Sequence, residues 1–261
     1  MIALVRAELL KIRSTRMWMG MLALTVGYTL FNLVFYLALA GVELNGEAAA
    51  LPPVTDENTL QMIYAVGTGS VLFMMILGIM GITSEYRFQT ITQTFLVTPR
   101  RGRVLAAKLL SYLVVGLVFG VVTVVLTVAV AQAGLAIRGG PATLLDHEIP
   151  MILLGTVAAF GLYALVGLGL GALVRNQIAA IIVAIIWVLL VEQLVTVIVP
   201  VVGQWLPMGA VRSLTSMDGP MFSGTGSLDT LPPWGGFLLL LFYGVLFAAI
   251  AAFTTTRRDV T

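Results

Sequence analysis

The sequence predicts an all-α membrane protein with six transmembrane helices, an N-terminal amphipathic interfacial helix and a short amphipathic helix in the loop after the second span. Three observations predict it. Of 261 residues, 59 % are apolar and 10 % charged, where a soluble domain carries roughly a quarter charged residues. The mean hydropathy is +1.05. Apolar runs long enough for a hydrocarbon core of roughly 30 Å, about 20 residues each, recur six times between charged or Pro/Gly interruptions. Residues 1–261 then form a single transmembrane domain with no room for a separate soluble catalytic domain.

Residues 1–16 come first. Ile2, Val5, Leu9 and Ile12 recur at helical spacing among Arg6, Lys11, Arg13 and Arg16, which suits either a helix in the headgroup layer or a plain basic flank of no fixed structure. The apolar stretch that follows runs from Met17 to about Gly41. It is too long for a signal-peptide core and no small-residue cleavage pattern closes it, so a retained anchor at 17–41 is expected. The other spans fall at about 59–83, 104–133, 150–174, 178–202 and 236–254. Between the last two, the outer segment 203–235 opens with mixed polarity, becomes Gly/Ser/Pro-rich and closes on Pro232, Pro233 and Trp234. Trp205 and Trp234 suit interfacial anchoring.

Lys and Arg near span ends are retained on the cytoplasmic side. With six spans, both termini share a side with the 84–103 loop and the turn at Arg175. That side holds Arg6, Lys11, Arg13, Arg16, Arg87, Arg100, Arg101, Arg103, Lys108, Arg175, Arg257 and Arg258, against Arg138 and Arg212 opposite. The asymmetry predicts a multi-pass protein of the cell (plasma) membrane with cytoplasmic termini. Arg6, Lys11, Arg13, Arg16, Arg101, Arg103 and Lys108 are then candidates for contact with anionic lipid headgroups. A net charge of +2 argues for no nucleic-acid partner.

Several chemistries are excluded by residue supply. Cysteine is absent, which removes disulfides and thiolate metal sites. The two lysines follow Leu10 and Ala107, so no Gly-Lys-Ser/Thr phosphate loop exists and nucleotide hydrolysis would belong to another chain. His147-Glu148 begins like H-E-x-x-H, but residue 151 is Met and no second histidine exists, so no metal site is expected. Gly167, Gly169 and Ala172 fit G-x-G-x-x-A inside an apolar span with no preceding strand, and Gly116 with Gly120 forms a GxxxG pair. Both patterns are expected to let helices approach closely in lipid. No catalytic residue and no bound cofactor are expected. Glu192 stands apart, because it lies deep in the fifth span, where a carboxylate costs roughly 2.5–3.5 kcal/mol unless it faces protein or water. It is either a polar point on a translocation path, or a carboxyl hydrogen-bonded to Gln193 or to a Ser, Thr or Tyr of another span.

The loop 84–103 reads SEYRFQTITQTFLVTPRRGR. Thr90, Ile91, Phe95 and Leu96 can share one helical face, which Pro99 ends. A loop serving topology alone needs no apolar face, so a helix that docks on a partner is expected. In their order and spacing, Glu85, Arg87, Thr90, Leu96, Thr98, Pro99, Arg100 and Lys108 resemble the cytoplasmic loop after the second span of ABC type-2 exporter permeases. The sequence departs at Gln89, where many members have Gly. The similarity extends to the basic N-terminus, the six spans, the small-residue fourth span leading into Val174-Arg175-Asn176-Gln177, and Leu206-Pro207 after the fifth.

The resemblance implies a permease subunit of an ATP-driven exporter. By it, 84–103 carries a coupling helix seated in a groove of a separate ATP-binding cassette subunit, with docking roles for Glu85, Arg87, Thr90, Phe95, Leu96, Pro99 and Arg100. Residues 1–16 become an elbow helix, and part of 203–235 re-enters the membrane. Two permease chains, identical or homologous, would work with two ATPase chains that hold ATP and Mg. The apolar spans agree with a hydrophobic or amphipathic cargo such as a drug, antibiotic, peptide or lipid. The competing reading is an ion-coupled secondary transporter or channel using Glu192.

Overall fold

The computed structural model describes residues 1–43, 51–89, 101–141, 144–145, 148–216 and 230–256. The chain opens with α1 (Ile2–Ser14) and α2 (Met17–Leu39). Asp56 starts α3 (Glu57–Ala65) by accepting the N–H groups of Asn58 and Thr59, two donors that have no partner inside the helix. A 3-10 turn at Val66–Ser70 carries α3 into α4 (Val71–Arg87). There follow α5 (Arg101–Arg138), α6 (Ile149–Val174) and α7 (Gln177–Ile186), and then a π turn at Trp187–Val191 leads into α8 (Glu192–Ile198). The remaining helices are α9 (Pro200–Gly203), α10 (Pro207–Leu214) and α11 (Pro233–Thr256). Among the described residues, six stretches are long and apolar enough to cross a membrane: Met17–Leu39, Glu57–Arg87, Gly102–Arg138, Ile149–Val174, Gln177–Ile198 and Pro233–Ala251. The protein is all-α and multi-pass, because a helix satisfies its own backbone hydrogen bonds where lipid offers none.

The bundle is built around α6, which α4, α5 and α11 contact. Small residues allow this crowding. A Cβ added at Gly78 of α4 would lie 2.5 Å from the Ala164 carbonyl oxygen, and one at Gly167 of α6 would strike the Met75 carbonyl. Gly116 of α5 meets the Phe160 backbone in the same way. The glycine patterns of the third and fourth spans therefore serve close helix contact. Phe160, Tyr163 and Leu168 fill the space around them and are fully buried. Phe31, Val125, Ile182 and Phe242 face outward from the surrounding helices.

Three elements differ from the sequence expectation. At 38 residues, α5 is roughly 57 Å long and outreaches a 30 Å hydrocarbon core, so Arg101 and Arg103 start its first turn instead of closing a loop. The fifth span, expected unbroken over 178–202, contains the π turn and then breaks at Val199, whose φ of −134° and ψ of 78° precede Pro200. Proline lacks an N–H and disfavours helical geometry in the residue before it. The chain turns back at this break, and α10 packs against α6 and α11. A Cβ at Gly236 would lie 2.5 Å from the Ala210 carbonyl oxygen. Arg212 consequently sits within the bundle instead of in a loop.

Candidate functional site

The stems of the 90–100 segment are the last turn of α4 and the first turns of α5, and both meet α1. Lys108 of α5 places Nζ 2.6 Å from Oε2 of Glu8 and 2.9 Å from Oε1 of Glu85. Lys11 places Nζ 2.7 Å from Oε1 of Glu8 and 2.9 Å from the same Glu85 oxygen. The Lys108 and Glu8 side chains are 3 % and 6 % exposed, whereas that of Lys11 is 46 % exposed. Two cations and two anions leave no net charge, and buried charges persist when paired and hydrogen-bonded in this way. Burial would raise the Glu8 carboxyl, but Lys108 and Lys11 together hold it below its ordinary value. Burial would likewise lower Lys11, and Glu8 with Glu85 hold it above its ordinary value. The Ser111 hydroxyl adds a 3.3 Å hydrogen bond to the Val5 carbonyl, so α1 lies along α5.

The residues singled out from the sequence divide between several places. Arg6, Arg13, Arg16 and Arg103 are exposed, and Arg101 is the first residue of α5. Lys108, expected at the headgroup surface, is buried because its position on α5 faces α1 and the end of α4. Glu85, expected on a docking face, is also buried in the ion-paired group. Arg87 is exposed, with its guanidinium 5.6 Å from the Phe88 ring centre. Thr90, Phe95, Leu96, Pro99 and Arg100 lie outside the described residues. Gln89 has a φ of +56°, a left-handed conformation that glycine adopts more readily, which explains why Gly suits this position in similar loops. The Arg175 guanidinium, from the turn after α6, lies 5.9 Å from the Tyr86 ring centre at the same end.

At the opposite end, Glu192 is buried and its Oε2 accepts the Met208 backbone N–H at 2.7 Å. Neither Gln193 nor a hydroxyl provides that bond. The positive charge of Arg212 lies near Glu192, and its Nη2 reaches Gln193 Oε1 at 3.5 Å. A cleft of ≈ 240 Å³ opens between α2, the 3-10 turn, the π turn and α10. Asn32, Gln193 and Arg212 offer it polar groups, and Tyr28, Val188 and Leu189 line it with apolar surface.

Sequence reasoning missed Glu8. The available signal was an acidic residue three positions before Lys11 in an otherwise basic helix, a spacing that places the two side chains together. Of the apolar face expected on α1, Ile12 is buried and Val5 and Leu9 are half-buried, with Glu8 buried beside them, and Ile2 at the end of the helix is exposed. The arrangement can hold elements together and transmit displacement by charge pairing. No curated protein and no solved structure matches the chain. Residues 4–192 match the family described as ABC-2 family transporter protein, and that match over most of the chain, with the six spans, makes this protein a member of the ABC-2 transporter family.

Proposed function

We propose that this chain is the permease subunit of an ATP-driven exporter of the cell membrane, with both termini cytoplasmic. Two permease chains, identical or homologous, work with two ATP-binding cassette subunits that hold ATP and Mg. Family membership supports the partnership, and the twelve-to-two sorting of basic residues supports the orientation. The observation that carries the mechanism is the ion-paired joint, in which Lys108 and Glu85 close the stems of the 90–100 segment at 2.9 Å. A partner pressing on that segment then moves α4 and α5 together, and both pack on α6. Relative tilting of packed helices is an established way to switch access from one side to the other. The cleft beside Glu192 supports an amphipathic cargo, since it joins a few polar groups to apolar walls.

Docking by Phe95, Leu96, Pro99 and Arg100 is tested by Phe95→Asp in the full chain. Co-purification with an ATP-binding cassette ATPase and ATP-dependent efflux are both expected to be lost while membrane insertion persists. Unchanged co-purification and efflux would sink the reading. Transport that survives ATP depletion and fails in Glu192→Gln would favour the ion-coupled transporter.

A further inference from the structure

We infer that Glu8 is a positioning residue for coupling, joining α1 and the first span to the stems of the loop that receives the ATPase; this rests on the exporter reading. Glu85 and Lys108 already pair at 2.9 Å, so charge balance at the stems needs no third element. Glu8 nevertheless brings both carboxylate oxygens, one to Lys11 and one to Lys108. Its burial is not what a membrane anchor requires. Ile2 and Leu10 remain exposed for contact with lipid, and Ile12 already covers the inner face, so anchoring requires no carboxylate buried beside it.

The connection leads somewhere useful. Only Thr15 and Arg16 separate α1 from α2, and α2 supplies Tyr28, Asn32 and Tyr36 to the cleft. Displacement of the stems is passed by Glu8 to α1, and from there to the cleft wall. Without Glu8 the stems still move, but α1 follows them only through the half-exposed Lys11, whose Nζ lies 2.9 Å from Glu85.

The test uses the complex with its ATPase in liposomes. Glu8→Gln with Lys11→Met removes the two charges that α1 brings to the ion-paired group, keeps the Glu85–Lys108 pair and leaves no unbalanced charge within the group. The chain has no cysteine, so spin labels at Phe31→Cys of α2 and Leu154→Cys of α6, both exposed, report the first span against the central helix. With the native residues at 8 and 11, ATP and vanadate are expected to change the label distance by about 2 Å, the scale of helix shifts in switching proteins. The double substitution is expected to abolish most of that change while ATPase binding stays within about twofold, below the coupling range of roughly 5–150-fold. Lys11→Arg is expected to retain the change. Should the double variant fail to insert, Glu8→Asp provides the same readout, because it keeps the charge but withdraws the carboxylate by one methylene, and a reduced change is expected. An undiminished change in these variants overturns the inference, and so does loss of ATPase binding, which would make Glu8 a docking residue. Failure of the native chain to bind the ATPase defeats the exporter reading itself.

Discussion

Met208 donates its backbone N–H to Oε2 of Glu192 across 2.7 Å, so a carboxylate of the fifth span caps a helix that begins at Pro207. The N-cap residue of α10, Leu206, has no side-chain acceptor to offer. Glu192 provides an acceptor at the positive end of the helix, where an anion is favoured.

Glu192→Leu should therefore lower stability by about 1 kcal/mol or more, since it leaves the half-buried Met208 N–H without its acceptor. Glu192→Gln keeps an acceptor and should lose less. Thermal unfolding of the detergent-solubilised protein distinguishes them, and equal losses would show that the bond to Met208 carries no stability.

The ion-paired group predicts an asymmetry between the two lysines. Lys108→Met leaves two buried carboxylates sharing one half-exposed ammonium, and loss of a buried partner costs about 3–5 kcal/mol. Lys11→Met removes a cation whose side chain is 46 % exposed, where solvent screening limits an ion pair to about 1 kcal/mol or less. Comparing the melting temperatures of the two variants checks this, and a larger loss for Lys11→Met would contradict the placement of Lys108.

The pH dependence follows from the directions at Glu8 and Lys11. Glu8 titrates below its ordinary 4.5 in the folded protein, so its contribution is present above that value and disappears as pH falls through the lowered one. Lys11 titrates above its ordinary 10.5, so its contribution is present below that value and disappears as pH rises through the raised one. The stability difference between the native chain and Glu8→Gln with Lys11→Met should be level between these two ordinary values and shrink on either side. Unfolding curves across pH measure it, and a difference that grows in acid would refute the pairing.

Helix contact predicts opposite effects for two glycines. Gly167→Ala pushes a methyl group into the Met75 carbonyl, and overpacking of this kind typically costs about 1–3 kcal/mol. Gly27→Ala in α2 meets nothing within 4 Å and should stabilise by roughly 0.5–1 kcal/mol through helix preference. Thermal unfolding of both variants is the check, and destabilisation by Gly27→Ala would show that α2 is closely covered at that position.

The periodic and compositional features were open to one-dimensional reading. Apolar runs and glycine spacing depend on neighbours in the chain and on the lipid, so the six spans and the close helix contacts follow from residue order. Pairings across the bundle were not open in the same way. Glu8 and Lys108 are a hundred residues apart, and α1 makes them partners by lying along α5. Arg212 looked like a loop residue until the break at Val199 and Pro200 returned α10 to the bundle beside Glu192. Charge and hydropathy along a chain state which groups need partners or cover. Which partner each receives depends on helix packing, because the same ammonium can be satisfied by headgroups, by water or by a carboxylate on another helix.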